Sequence, residues 1–200
     1  MKVTPDVLIP RMDTELLVTT AKELLLGRKM DARILDLCCG SGCIACALGH
    51  ELPATKLVAV DISANALEIA RENFASNRLG SRAICIQADA TSSPPMSIGQ
   101  FDMIVSNPPY IASAEIMTLD ASVRDYEPIW ALDGGEDGYR FYKAIIKYWK
   151  SLLRPGGFLL FEVGEGQAAT VKEMLSSAGF RAVGSRLDTL NIERVVIGRM

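Results

Sequence analysis

The sequence has little of what marks a membrane protein or a nucleic-acid binder. No apolar run approaches the length of a membrane span, and residues 1–6 lack the apolar core of a signal peptide. Lysine and arginine number 21 against 24 aspartate and glutamate residues, so the basic surplus typical of nucleic-acid binders is missing. We therefore expect a cytoplasmic protein with no membrane contact and no direct nucleic-acid partner.

Two common nucleotide-binding signatures are missing as well. The sequence contains no Gly-x-x-x-x-Gly-Lys, which excludes a P-loop. The Gly-x-Gly pattern at Gly40 and Gly42 lacks the third glycine of the dinucleotide fingerprint, which disfavours NAD. The single histidine, His50, lies near the end of a predicted helix, and we assign it no chemical role. No metal site is predicted.

The length and the alternation of elements predict one α/β domain over residues 1–200. Two hundred residues, 49% of them hydrophobic, suffice for one such core and not for two. The apolar patterns predict strands over 32–37, 56–60, 83–87, 101–105, 158–163, 180–187 and 192–199. They predict helices over 13–26, 43–52, 63–76, 137–153 and 167–178, with a short helix and loop over 115–126. This order indicates a doubly wound, mostly parallel sheet with an antiparallel C-terminal hairpin supplying an edge strand.

The helix ends carry specific signals. Asp13 and Ser63 are expected to cap the helices that follow them, and Gly27 is expected to end the first helix. A short extended piece, Val7 to Ile9, precedes the first helix and is closed by Pro10.

The most informative stretch follows the fourth predicted strand and reads Asn107-Pro108-Pro109-Tyr110. The two prolines fix their own backbone and hold the residues before them extended, so this loop is stiff. It presents two acceptors side by side, the Asn107 side-chain oxygen and the Pro108 carbonyl, which together suit an NH2 group. Tyr110 adds an aromatic face for a flat group. The pattern indicates a site that orients an amide or amino nitrogen toward an electrophile, although a plain surface turn remains the alternative for a proline pair.

Three other strand ends predict a nucleoside site beside this loop. Asp36 to Gly42 lies between a strand and a helix, where the backbone can approach a ligand. Asp61 closes the next strand at the position of a carboxylate that accepts ribose hydroxyls. Asp89 ends the third strand. Because parallel strand ends share one crevice, we expect these residues to meet Asn107.

The cysteines allow one alternative. Their number, five, is odd, and four of them crowd between Cys38 and Cys46, which favours reduced thiols over disulfides. Cys39-x3-Cys43-x2-Cys46 has the spacing of the iron-sulfur ligands in radical enzymes that cleave S-adenosylmethionine. Those enzymes need a barrel that this chain lacks the strands to build, and Cys43 and Cys46 fall where a helix packs on a sheet. We favour simple packing.

Taken together, these motifs resemble those of S-adenosylmethionine-dependent amino-methyltransferases, and three further stretches narrow the resemblance. They are Val7 to Val18, Tyr126-Glu127-Pro128 with Ala131 to Gly138, and Glu193-Arg194-Val195-Val196. With them the chain resembles, over nearly its whole length, the catalytic domain of the PrmC/HemK family. That family methylates the side-chain amide of the glutamine in the Gly-Gly-Gln motif of peptide chain release factors.

The resemblance implies a Rossmann-like class I S-adenosylmethionine-dependent methyltransferase fold, with S-adenosyl-L-homocysteine as product and a release factor as protein partner. It implies that Asn107 and Pro108 are catalytic and that they bind the substrate amide together with Pro109 and Tyr110. Asp61 is expected to hold the ribose and Asp89 the adenine amino group. The implied cofactor site consists of Asp36, Cys38, Cys39, Gly40, Ser41, Gly42, Asp61, Ile62, Asp89, Ala90, Asn107, Arg11 and Glu15.

The chain also departs from the family. Cys38-Cys39 replaces the usual Gly-Thr or Gly-Ser, Ala90 stands where many members have an aromatic residue, and Met12 replaces a common proline. The family's N-terminal helical domain is expected to be absent, in a fragment or a natural short form. Besides the radical enzyme, two readings stay open: an amino-methyltransferase acting on adenine or guanine, and a non-catalytic scaffold. For Arg11 and Glu15, a structural ion pair is the alternative to a place in the cofactor pocket.

Overall fold

The computed structural model describes residues 1–26 and 31–200. Its strands are β1 Arg33–Leu37, β2 Lys56–Asp61, β3 Ala83–Gln87, β4 Phe101–Ser106, β5 Leu153–Glu162, β6 Arg181–Leu187 and β7 Glu193–Arg199. Its helices are α1 Thr14–Leu25, α2 Cys43–Glu51, α3 Ala64–Ser76, α4 Ala121–Arg124, α5 Arg140–Tyr148 and α6 Ala168–Ser177. The expected helix stop at Gly27 lies outside the described residues.

The seven strands form one sheet in the order β3-β2-β1-β4-β5-β7-β6. The first five pair in parallel, and β7 pairs antiparallel with both β5 and β6. The predicted doubly wound sheet with its C-terminal hairpin is therefore confirmed. One detail differs from the prediction of an antiparallel edge strand. The strand that runs antiparallel to the others, β7, lies inside the sheet, and β6 forms the edge.

Helices cover both faces of the sheet, so its central strands are apolar throughout rather than alternating. Ile34 of β1 packs in a core with α1, α2 and α3, and its neighbour Leu35 packs in the opposite core with α5 and α6. The same division separates Leu160 from Leu159 in β5. In the described residues, no helix is both long and apolar enough to cross a membrane.

Two predicted boundaries are wrong. The helix expected over 137–153 is shorter, because Asp137 accepts the backbone N–H of Tyr139 and holds the chain in a turn before α5. The fifth strand starts at Leu153 rather than Phe158, and its register against β4 shifts on the way. Gly157 permits this course, since a Cβ there would lie 3.0 Å from the Asp102 carbonyl oxygen.

The two predicted helix caps have different outcomes. The Ser63 hydroxyl accepts the backbone N–H of Ala66, so it caps α3 as expected. Asp13 precedes α1 but its side chain makes no capping hydrogen bond, because its backbone is already helical and a capping residue must be extended. An Asp13 carboxylate oxygen instead lies 3.6 Å from Nε of Arg194 on β7.

Candidate active site

One cavity opens where the carboxyl ends of β1, β2 and β4 meet. The sheet order runs in opposite directions from β1 and β4, which makes this the switch point where open α/β sheets bind ligands. The predicted residues that line the cavity are Arg11, Cys38, Cys39, Gly40, Ser41, Asp61, Ile62, Asp89, Ala90, Asn107 and Pro109. The predicted residues outside its lining are Asp36, Gly42, Glu15, Pro108 and Tyr110.

The loop after β1 is a left-handed turn that brings its backbone to the cavity. Gly40 and Gly42 have φ of 51° and 75°, and a Cβ on Gly42 would lie 2.9 Å from the Phe74 ring. Cys38 also has a positive φ, of 62°. This conformation favours glycine, the residue that the family resemblance implies at this position, and holding Cys38 in it costs about 1–2 kcal/mol.

Asp61 ties the end of β2 to this loop. Its Oδ2 accepts the Gly40 N–H at 2.9 Å, and its Oδ1 accepts the Ser63 N–H at 2.9 Å. Burial raises the pKa of Asp61, although these backbone hydrogen bonds oppose the shift. Each carboxylate oxygen can accept a second hydrogen bond, so Asp61 keeps acceptor capacity at the cavity wall, and its contact with ribose hydroxyls stays a prediction.

Asp89 is engaged by its own turn. It accepts hydrogen bonds from the backbone and hydroxyl of Thr91 and from the hydroxyl of Ser92. Burial pushes the pKa of Asp89 up, but these hydrogen bonds and the nearby Arg140 charge outweigh it and leave the pKa lowered. The carboxylate therefore stays charged at the cavity wall, and its contact with an adenine amino group stays a prediction.

Two buried polar atoms near the loop have no protein partner among the described residues. They are Oδ1 of Asp36 and Oγ of Ser41. The other Asp36 oxygen accepts the Ala45 N–H at 3.0 Å, which anchors the carboxylate to the start of α2. Because buried polar groups are normally satisfied, the Ser41 hydroxyl in the cavity wall is suited to a polar ligand group such as the amino-acid end of a cofactor.

Asp36 provides a stability test that needs no ligand. Burial raises its pKa from 3.8 to about 7, the Ala45 N–H opposes the shift, and the Asp61 charge adds to it. Between those pH values the folded protein keeps a proton that the unfolded chain releases, so this contribution to stability is lost as pH rises through 7. We expect the free energy of unfolding of Asp36→Asn, measured relative to wild type, to rise by more than about 1 kcal/mol between pH 5 and pH 8. Calorimetric Tm differences that are equal at both pH values would contradict this.

The loop after β4 is fixed to the sheet on its inner side. The Ser106 hydroxyl donates to the Leu37 carbonyl at 2.6 Å and so joins the ends of β4 and β1. Asn107 follows at the cavity wall, and its Nδ2 lies 3.4 Å from Oγ1 of Thr14 in α1. Pro108 and Pro109 are buried. The stiff corner predicted from the sequence therefore turns into the cavity and is not a surface turn.

Tyr110 is held behind this corner rather than in the cavity wall. Its carbonyl accepts the Gln167 side-chain N–H at 2.9 Å, and Ile111 bridges to Asp133. Burial raises the pKa of the Tyr110 hydroxyl, and the Glu162 charge adds to the shift. Its predicted role as a wall for the substrate amide stays a prediction.

Gly134 controls the position of this corner. A Cβ on Gly134 would lie 2.7 Å from Cα and 2.8 Å from the carbonyl carbon of Tyr110, and neither backbone atom can yield. We expect Gly134→Ala to lower the free energy of unfolding by about 1–3 kcal/mol and to reduce activity. Gly80→Ala is the matched control, because nothing lies within 4 Å of a Cβ there. Equal denaturation midpoints for the two variants would refute this account.

The structure adds cavity residues that the sequence did not predict. Thr14, Trp130, Arg140 and Phe141 line the cavity from the first helix and from the segment after β4. The stretch Ala131 to Gly138 pointed to this region only through the family resemblance. Trp130 and Phe141 bring aromatic surface to a cavity in which Ala90 offers none.

Arg11 and Glu15 do not act together. Arg11 lines the cavity and forms an ion pair with Glu127, whose side chain is buried. Glu15 is exposed and faces a groove between α1 and α2. The ion-pair alternative therefore applies to Arg11, with a partner that the sequence did not predict.

The cysteines pack as small apolar residues. Cys39 and Cys46 belong to the core between the sheet and α1 to α3, and Cys43 packs against it. Burial raises the pKa of the Cys43 thiol to about 12, so it is protonated near neutral pH. Among residues 1–26 and 31–200, no three histidine, cysteine, aspartate or glutamate side chains come together as metal ligands. The open sheet also contradicts the barrel that a radical enzyme requires.

Comparisons with solved structures support the same fold. The hMettl16 catalytic domain superposes with a TM-score of 0.79 at 19% identity, covering 99% of this chain and 74% of that one. A methyltransferase from Pyrococcus furiosus superposes with a TM-score of 0.69 at 16% identity, covering 100% of this chain and 87% of that one. Residues 12–123 match the family model "Methyltransferase small domain". The fold and its cavity define a class I S-adenosylmethionine-dependent methyltransferase.

Sequence relatives identify the family within this class. A release factor glutamine methyltransferase of Geobacter sulfurreducens is 44% identical, over 99% of this chain and 67% of that protein. One of Bradyrhizobium diazoefficiens is 45% identical over 86% and 57%, and one of Thermodesulfovibrio yellowstonii is 38% identical over 98% and 70%. The chain belongs to the release factor glutamine methyltransferase family. It spans between 57% and 70% of the length of these relatives.

Proposed function

We propose that this chain is the catalytic domain of a release factor glutamine methyltransferase. It transfers a methyl group from S-adenosyl-L-methionine to the side-chain amide nitrogen of the glutamine in the Gly-Gly-Gln motif of a peptide chain release factor. The observation that carries the proposal is the Asn107 corner, which lies in the wall of the same cavity as Asp61 and the Gly40 loop. The family membership supports the choice of substrate.

The cavity residues fit the cofactor in three parts. Asp61 has free acceptor capacity for the ribose hydroxyls, and its hydrogen bond to Gly40 fixes the loop beside it. The Ser41 hydroxyl and the backbone of Gly40, which line the cavity, are the groups that we expect to bind the methionine end. Asp89 and Ala90, with the aromatic surface of Phe141, form the part of the wall that suits the adenine. Asp36 supports this site indirectly, because its carboxylate anchors the start of α2.

Asn107 and Pro108 act on the substrate nitrogen. The Asn107 side-chain oxygen and the Pro108 carbonyl each accept one N–H of the glutamine amide, which fixes its plane and directs the nitrogen lone pair into the cavity. Asp61, Gly40 and Ser41 would hold the cofactor, which would supply an electrophilic methyl group to the amide nitrogen and leave as S-adenosyl-L-homocysteine, with the amide proton released to water. The residues need no strong base, because the amide nitrogen becomes acidic only as it is alkylated. Pro109, which lines the cavity, limits the space around the amide plane.

The test is mass spectrometry of a release factor after incubation with this chain and S-adenosyl-L-methionine. We expect a single added methyl group, located by fragmentation on the Gly-Gly-Gln glutamine. A release factor whose glutamine is replaced by glutamate serves as the negative substrate. Methyl transfer to RNA or DNA but not to the release factor would instead favour the nucleic-acid alternative. No methyl transfer by a folded, cofactor-binding chain would refute the proposal.

A further inference from the structure

A buried glutamate behind the Asn107 corner is not explained by cofactor or substrate binding. Glu162 is the last residue of β5, its residue is only 2% exposed, and it is absent from the cavity lining. Its Oε2 is fully buried and forms no hydrogen bond of standard length with the described residues. Burying a carboxyl group with an oxygen that lacks a hydrogen bond destabilises the fold. Stability therefore does not explain why Glu162 is here.

The sheet register brings Glu162 to the base of the corner. Ser106 of β4 pairs with Phe161 of β5, so the next residues, Asn107 and Glu162, leave the two strands side by side. The Thr14 and Asn107 side chains lower the pKa of Glu162, so they lie close enough to favour its ionised form. Asn107 also directs its Nδ2 toward Oγ1 of Thr14, at 3.4 Å. Glu162 and Thr14, which are both buried, and the half-buried Asn107 therefore form one cluster, called here the Glu162 cluster.

The chemistry of this cluster determines which way the Asn107 amide faces. An ionised carboxylate only accepts hydrogen bonds, so the half of the Asn107 carboxamide that faces it must be the NH2 group. The oxygen is then left on the opposite side, toward the cavity. A neutral side chain with both donor and acceptor atoms in place of Glu162 would no longer distinguish the two orientations. With the amide reversed, an NH2 group would face the substrate NH2 group and repel it.

We propose that Glu162 is a positioning residue that fixes the orientation of the Asn107 carboxamide, so that its oxygen faces the substrate nitrogen. The inference rests on the proposed function for the identity of that nitrogen, but the orientation itself can be measured without any substrate. Thr14 of α1 assists, because its hydroxyl oxygen accepts a hydrogen bond from the same NH2 group. Nothing in this role requires Glu162 to touch the substrate or the cofactor.

The ionisation of Glu162 gives the cluster a pH signature. Burial raises its pKa to about 7, while the hydrogen bonds from Thr14 and Asn107 and the Arg194 charge oppose the shift and the Asp13 charge adds to it. Tyr110, Tyr142 and Cys43 also face it, and burial raises the pKa of each of them, so they stay neutral near pH 7. Glu162 is thus the group of this set whose charge changes near neutral pH.

The first measurement is the NMR signal of the Asn107 side-chain amide, identified by its absence from the spectrum of Asn107→Ala. We expect this signal to shift with pH around 7 in the wild-type chain and to become insensitive to pH there in Glu162→Gln. Glu193→Gln is the matched control, because Glu193 lies on β7 and pairs with Lys172 and Ser185, away from Asn107. A wild-type signal that does not respond, or the same response in Glu162→Gln, would overturn the proposal.

The second measurement is methyl transfer at saturating S-adenosyl-L-methionine. We expect Glu162→Gln to lower kcat by about 10- to 100-fold while the Kd for the cofactor stays unchanged, and Glu193→Gln to behave as wild type. We expect the wild-type kcat to rise as the pH increases through 7 and the kcat of Glu162→Gln to show no such rise. Misfolding would not explain such a loss, because the variant removes a buried charge and should be at least as stable at pH 8.

The two measurements separate this inference from the proposed function. If the NMR signal responds as expected but no release factor is methylated, the orientation stands and the proposed function fails. If the release factor is methylated and Glu162→Gln has wild-type kcat, the proposed function stands and the inference fails.

Discussion

Replacing Asn107 with alanine is expected to abolish most methyl transfer while leaving cofactor binding intact. Asn107 lies in the cavity wall and is held by a stiff corner that Ser106 fastens to β1. Preorganised polar groups of this kind contribute about 100- to 1,000-fold to turnover. We therefore expect kcat to fall by about that factor in Asn107→Ala, with the Kd for S-adenosyl-L-methionine unchanged by calorimetry.

Asn77→Ala provides the matched control for this experiment. Asn77 follows α3, and its side-chain amide donates to the Asn73 carbonyl, outside the cavity lining. The control removes an amide of the same kind and should retain wild-type kcat. A normal kcat in Asn107→Ala would refute the role of Asn107 as an acceptor, and a loss of cofactor binding would show that it serves the cofactor instead.

Replacing Asp61 with alanine is expected to act mainly on cofactor affinity. The carboxylate organises the Gly40 loop and keeps acceptor capacity for two hydroxyls at the end of β2. Hydrogen bonds to charged groups contribute about 1.5–3 kcal/mol each, so losing one of them should by itself raise the Kd for S-adenosyl-L-methionine by about 10- to 150-fold. Calorimetric titration measures this directly, and kcat at saturating cofactor should change far less.

Asp120→Ala tests whether removal of any carboxylate has this effect. Asp120 accepts the Ser122 N–H at the start of α4 and is exposed, so its loss removes a comparable hydrogen bond far from the proposed ribose site. We expect a wild-type Kd for Asp120→Ala. Asp61→Asn adds a second comparison, because it keeps the shape and an acceptor for Gly40 but loses the charge. An unchanged Kd in both Asp61 variants would disprove the assignment of the ribose to this residue.

The sequence predicted the fold well because strong local signals agreed with each other. Buried strands appeared as short apolar runs, and Ser63 marked the start of α3. The position of β7 between β5 and β6 was not predictable, because strand order in a hairpin at the sheet edge depends on long-range pairing that no local pattern records. The early start of β5 was missed for a related reason. Arg154 to Gly157 is typical of a turn, and the strand begins before it only because Leu153 pairs with Phe101 of β4.

The site residues that directly follow strands could be predicted from the sequence. Asp61, Gly40 and Asn107 follow β2, β1 and β4, and parallel strand ends must meet at one edge of the sheet. Thr14 and Arg140 could not be inferred in this way, because they come from helices whose docking is tertiary. Glu162 was missed although it ends a strand, since the sequence shows a charge there but not that the residue is buried against Asn107.

A crystal structure of this chain with S-adenosyl-L-homocysteine would test the site directly. We expect the ribose hydroxyls on the Asp61 carboxylate, the amino-acid end at the loop of Gly40 and Ser41, and the sulfur atom facing the Asn107 side-chain oxygen across the cavity. An adenosyl group bound away from Asp61, or an Asn107 side chain turned away from the sulfur atom, would contradict it.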